Sequence, residues 1–157
     1  MISAGAGALY LEDFEVGQRY ESRETYTVTL EGAVAFAREF DPQPFHTDPE
    51  AAKDSFFKGL AVSGWMTSAI TMRLLTSSFD IAGGIIGAGG EIAWPSAARP
   101  GQVLRATSEI VDVQPSRSRP DRGRITVRTE TKDQDGAVVE VLTANLIVLR
   151  RPGSIGS

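Results

Sequence analysis

The sequence predicts an α+β fold in which an antiparallel sheet wraps around one long buried helix. Three observations lead there. Strand-like segments follow the helical ones instead of alternating with them, which argues against a parallel βαβ sheet. Residues 64–79 carry Trp65, Met66, Ala69, Ile70, Met72, Leu74 and Leu75 around almost the whole circumference of a helix, with Arg73 as the only charge. Such a helix is expected to have no solvent face. The chain has 157 residues, 41% hydrophobic and 23% charged, a globular composition long enough for a single core.

Residues 19–28 alternate as a strand, with Tyr20, Ser22, Glu24, Tyr26 and Val28 on one face. Thr29 is a suitable N-cap for a helix that turns Leu30, Val34, Ala37 and either Phe36 or Phe40 inward. That helix must stop at Asp41, because Pro42 disfavours helical geometry in the residue before it and Pro44 reinforces the break. Asp48-Pro49 then caps and opens a short helix through about Lys53. After the apolar helix come four strands, at about 84–94, 103–114, 124–132 and 138–149. Pro100-Gly101 punctuates the first connection between them, and Asp135-Gly136 marks a hairpin before the last strand. In that strand Val139, Val141, Ile147 and Leu149 share one face while Val138, Leu142, Leu146 and Val148 share the other, as in a central strand. A twisted antiparallel sheet around one apolar helix is the hot-dog arrangement. Its open edges and concave mouth predict pairing with a second copy.

Composition excludes several classes of function. With no cysteine there is neither a disulfide framework, nor a thiolate zinc site, nor a thiol nucleophile. A net charge of −4 would repel nucleic acid. No apolar run approaches the roughly 18 residues of a membrane span, and Met1 to Leu9 lack the basic and apolar regions of a leader. A soluble cytoplasmic domain is expected, single over 1–157 and ordered from about 9 to 151. The small, Gly-rich stretches 3–8 and 152–157 read as loose ends.

Chemistry concentrates in Asp41-Pro42-Gln43-Pro44-Phe45-His46-Thr47-Asp48-Pro49. His46 is the only histidine, and the prolines stiffen its connection to Asp41. A carboxylate and an imidazole held about a water's width apart can orient and deprotonate a water and manage the proton at a neighbouring carbon. Addition of water to an activated double bond needs no more. The plainer alternative is that Asp41 merely ends its helix and His46 is a loop residue. Lys58-Gly59-Leu60-Ala61-Val62-Ser63-Gly64 leads into the apolar helix, so amides near Gly64 stand at a helix N-terminus and suit an oxyanion developing on a thioester carbonyl. Gly64 could equally be small only to let the helix start against the sheet.

The segment Asp41 to Ala52 resembles the hydratase motif of MaoC-like proteins: Asp, four residues, His, then a short acid-capped helix. The likeness extends to Leu11-Glu12-Asp13-Phe14-Glu15-Val16-Gly17-Gln18, to Ser63-Gly64, and to Trp94-Pro95 with Arg99-Pro100-Gly101. It implies (R)-specific hydration of a trans-2-enoyl thioester, with Asp41 and His46 holding the water and the Gly64 amide polarising the carbonyl. It implies a homodimer or dimer-built assembly. No metal or redox cofactor is implied; coenzyme A would enter only as part of the substrate, or an acyl carrier in its place. Two positions depart from the family's pattern. Gln43 stands where many members have Asn, and Ser63 where many have His; both are expected to touch the substrate or its positioning.

Arg117 and Arg119, with Arg122 and Arg124, could meet the phosphates of a nucleotide carrier, although a solvated hairpin explains them as well. The run Gly83 to Gly90 lacks the lysine and following helix of a phosphate-binding loop, and reads as the start of a strand that could lie near an acyl chain. Two rival functions share this fold: a thioesterase, and a non-catalytic acyl-binding module.

Overall fold

The computed structural model describes residues 7–154. After a 3-10 turn at Leu11–Asp13 come β1 (Arg19–Glu21), β2 (Tyr26–Thr27), α1 (Leu30–Phe40), α2 (Pro44–Thr47), α3 (Pro49–Ala52) and α4 (Gly64–Thr76). Then follow β3 (Ile86–Ala93), β4 (Val103–Pro115), β5 (Arg122–Lys132) and β6 (Val138–Leu149). The sheet order is β1-β4-β5-β6-β3, with β2 also on β4, and every pairing is antiparallel. This is the α+β hot-dog fold that the sequence predicts.

The long strands form where β-branched residues alternate with polar ones. In β5, Ile125, Val127, Thr129 and Thr131 all turn inward. Asp133 closes the following hairpin by accepting the amides of Asp135 and Ala137, each at 2.9 Å, while Gly136 takes the positive φ of +88° that the turn requires. β6 lies between β5 and β3, the interior place expected for a strand apolar on both faces.

The concave face of the sheet holds α4, and the core divides along that helix. Around its C-terminal half Leu75 and Phe79 meet Phe14, Tyr20, Ile110, Ile125 and Leu146. From its N-terminal end onward Met66, Ile70 and, further along, Leu74 meet Val28, Val62, Leu104 and Val139. At the C-terminal end the chain's outer segments are clasped. Glu12 accepts from Arg150 Nε, the Arg151 amide and Ser154 Oγ, while Arg151 also bonds Asp13. Residues 152–154, expected to be loose, are therefore bonded in a turn. The rest of the expected loose ends, 3–6 and 155–157, lies outside the described residues.

Four expectations need correction. α4 is not buried on all sides: Trp65, Ala69, Met72, Arg73 and Thr76 form an exposed stripe, and Trp65 is 59% exposed. One chain's sheet curves around only one side of the helix, so the apolar residues opposite have no cover within the chain. α4 also ends at Thr76, where Ser77 and Ser78 side chains take the Leu74 carbonyl. The strand at 19–28 is interrupted because Ser22 Oγ donates to the Glu24 carbonyl and Arg23 turns away to bond Ser77 and Asp80. In α1 the buried positions are Ala33 and Ala37, whose small side chains allow close approach, while Leu30 is exposed.

Candidate active site

The site forms where three local rules meet at the N-terminal end of α4. Thr29 caps α1 by accepting the Gly32 amide, and α1 ends at Asp41 before Pro42, as the sequence requires. The segment beyond is not a plain loop. Pro44 opens the single turn α2, and this turn carries His46 back over Asp41. Asp48 then caps α3 by accepting the Glu50 and Ala51 amides.

Asp41 Oδ2 lies 3.2 Å from His46 Nε2. The histidine is buried, and its Nδ1 is 2.6 Å from the Ala61 carbonyl. A carbonyl can only accept, so Nδ1 carries a proton, and in the neutral ring Nε2 is a free base directed toward Asp41. The two departures from the family's pattern both serve the aspartate. Gln43 Nε2 donates to Oδ1 at 2.6 Å, and Ser63 Oγ donates to Oδ2 at 2.7 Å. Burial works against the carboxylate's charge, but the bonds from Gln43 and Ser63, and the positive charge of His46 when its ring is protonated, outweigh it, holding Asp41 below the usual aspartate range.

Asp41 and His46 open into a pocket of about 280 Å³ whose walls include Phe57, Gly64, Trp65 and Trp94. Gly64 is the first residue of α4, where an amide has no acceptor within its own helix. Its lack of a side chain has a direct cause: a Cβ there would stand 2.7 Å from Trp94 Cε2. The structure therefore gathers Asp41, His46, Gln43, Ser63 and Gly64 at one place. Arg117 and Arg119 are elsewhere in this chain, on the β4–β5 hairpin. From Gly123 beside that hairpin to Thr131 at the end nearer the Asp41–His46 pocket, eight residues along β5 span roughly 26 Å. The Gly-rich run before and within β3 lies along the sheet edge and does not line the pocket.

Sequence reasoning did not assign Trp94, Phe57 or Arg99. Arg99 holds the pocket's rim by donating to the carbonyls of Phe57, Gly59 and Leu60, with Phe57 under its guanidinium. An arginine set between Ala98 and Pro100, two residues of little polar use, was the available signal.

Among described residues, no helix is long and apolar enough to cross a membrane. A hot-dog domain with an aspartate–histidine pair at the mouth of its central helix defines the class. The pattern described as MaoC like domain matches residues 13–133, and the chain belongs to this family. It is similar to the crystal structure of the MaoC-like dehydratase from Rhodospirillum rubrum, at 51% identity and TM-score 0.89, over 92% of this chain and 99% of that one. It is 32% identical over 142 residues to the uncharacterized protein YdeM of Bacillus subtilis (strain 168), covering 88% of this chain and 96% of that protein. The R-hydratase PhaJ1 of Pseudomonas aeruginosa shares the fold at TM-score 0.71 and 21% identity, over 92% of this chain and 88% of that one.

Proposed function

We propose that the protein is an (R)-specific hydratase and dehydratase of enoyl and 3-hydroxyacyl thioesters, carried on coenzyme A or an acyl carrier. The observation that carries this reading is the Asp41–His46 pair, 3.2 Å apart and beside the uncommitted amide of Gly64. A water in the pocket donates one hydrogen toward Asp41 and the other toward His46 Nε2, leaving an oxygen lone pair for C3 of the enoyl group. As the C3–O bond forms, the water's O–H bond breaks toward Nε2 and the C2=C3 electron pair moves onto the thioester. The Gly64 amide stabilises the charge developing on the carbonyl oxygen. The imidazolium, held by ionised Asp41, then returns the proton to C2. One water adds across one double bond, and dehydration is the reverse.

The exposed stripe of α4 and the edge strand β3 support a homodimer, since both leave apolar or hydrogen-bonding surface uncovered in a single chain. Light scattering at micromolar concentration should give twice the chain mass or an even multiple.

The test of function is a panel of enoyl-coenzyme A thioesters, followed by loss of enoyl absorbance and by chiral analysis of the product. The expected product is the intact (R)-3-hydroxyacyl thioester. Free thiol released at the same rate would instead identify a thioesterase, and binding without turnover of any substrate a ligand module.

A further inference from the structure

Glu140 is the one carboxylate among the described residues that is wholly withdrawn from solvent, at 0% exposure, and the chemistry above does not use it. It falls on the inward face of β6 by alternation with Leu142, Ala144 and Leu146, and an extra residue beside it crowds that face further. Thr131 pairs with Glu140 but Lys132 pairs with Val138, so Val139 is unmatched and turns inward beside Glu140. A carboxyl withdrawn from water is costly unless it is hydrogen-bonded, so its partners indicate what it does. Glu140 Oε2 accepts from Trp94 Nε1 and from Ser68 Oγ, each at 2.8 Å, while Oε1 has no partner. Ser68 is one turn along α4 from Gly64, and its hydroxyl is also 3.1 Å from the Gly64 carbonyl. The Trp94 indole lies against Gly64 and meets the Trp65 ring edge-on at 5.4 Å. Glu140 does not line the pocket; it reaches the pocket through Trp94 and, by way of Ser68, the backbone of Gly64.

We propose that Glu140 is a positioning residue for substrate selection: by holding the Trp94 indole against Gly64, it fixes the pocket wall beside the thioester and limits the bulk of the acyl group accepted there. This rests on the hydratase reading given above. Trp94 is 41% exposed, and apart from the Glu140 bond its ring is held from one side by Gly64 and Trp65. Loss of the acceptor frees the indole to turn toward solvent and opens the wall. Burial pushes the Glu140 carboxyl up from the ordinary glutamate range, opposed by the bonds from Ser68 and Trp94 and by the Thr71 hydroxyl nearby. A neutral carboxyl is matched in shape and in acceptor by glutamine, so Glu140→Gln should keep the wall and Glu140→Leu should not.

The experiment measures kcat/KM for crotonyl-coenzyme A and for a branched enoyl-coenzyme A in the wild type, Glu140→Leu, Glu140→Gln and Trp94→Phe. In Glu140→Leu and Trp94→Phe the ratio of branched to straight substrate should rise about tenfold, chiefly through KM, and Glu140→Gln should stay within about twofold of wild type. With Trp65→Phe in the background, Trp94 is the only indole left. Its emission should then move to longer wavelength in Glu140→Leu and not in Glu140→Gln. If Glu140→Leu does not fold, Trp94→Phe removes the same bond without touching the strand. An unchanged ratio in a wild type that turns over both substrates overturns the proposal, and so does an equal loss for both that follows the loss in melting temperature. A wild type inactive on every enoyl thioester is a different result, since it overturns the hydratase reading itself.

Discussion

At the C-terminal end of α4, Phe14, Tyr20 and Phe79 meet edge to face, with centroids 4.8 to 6.4 Å apart, and little but hydrocarbon surrounds them. At the N-terminal end the same helix faces Asp41, His46, Ser63 and Glu140, a concentration of polar groups that water would solvate better. The first arrangement is favourable wherever it occurs. The second is tolerated because each polar group is bonded to another, and because the aromatic end contributes stability that the polar end does not. Division of labour along one helix lets a domain of this size keep a polar mouth without losing its fold.

The sharpest way to break this comparison is to injure each end separately. Asp41→Ala and His46→Ala should each lower hydration by roughly 10² or more, with the far-ultraviolet spectrum and cooperative melting retained. Wild-type-like turnover in either folded variant would remove that residue from the mechanism. Phe79→Ala should do the reverse, costing about 3–5 kcal/mol in urea unfolding while the protein that remains folded keeps its kcat. If Phe79→Ala lowered kcat as far as Asp41→Ala does, the two ends would not be independent.

A milder change sharpens the chemical end. Ser63→Ala removes a donor from the Asp41 carboxylate, which should lower kcat/KM about tenfold and move the acid limb of the pH profile upward. The sign follows from the environment of Asp41. Its carboxyl sits below the usual range in the folded protein, so its ionised form, and the stability it contributes, persist above the unfolded aspartate value. Both are lost only as pH falls through the lower folded value. An acid limb that does not move in Ser63→Ala would mean another group sets it.

The smallest effect concerns the clasp at the closed end. Burial opposes the charge of Glu12, but the Arg151 amide, Arg150 and Ser154 prevail and hold its carboxyl at about 2. Its contribution to stability is present above the ordinary glutamate range and disappears as pH falls toward 2. In Glu12→Gln the difference from wild type in urea unfolding should therefore shrink between about pH 4.5 and 2. A difference that stays constant over that interval would assign the clasp to contacts other than the charge.

Much of this plan was legible in the sequence because its signals are local. Thr29 and Asp41 bound α1, Asp48-Pro49 opens α3, and the strands of β4, β5 and β6 fall where alternation places them. The pairing of Asp41 with His46 was legible because only a few residues and two prolines separate them. The turn α2 was not, since prolines at 42 and 44 read as extended chain although Pro44 is well suited to begin a helix. The bond between Trp94 and Glu140 spans 46 positions, a separation that no local pattern announces. The remaining signal was faint: by alternation Glu140 falls on the inward face with Leu142 and Leu146, a lone carboxylate among apolar residues. The distance from Arg117 and Arg119 to the pocket likewise follows from strand length and register, not from their charge.

The clasp has a further consequence for the order in which this chain could be written. Glu12 touches both Arg150 and Arg151, so the first and last described segments leave the fold side by side, at the end of the sheet away from Asp41 and His46. The β4–β5 hairpin, exposed around residues 117–120, projects from that same end. A short flexible linker between the two clasped segments, with a new start and finish cut into the hairpin, would give a circular permutant in which the pocket of Asp41 and His46 keeps every neighbour it has now.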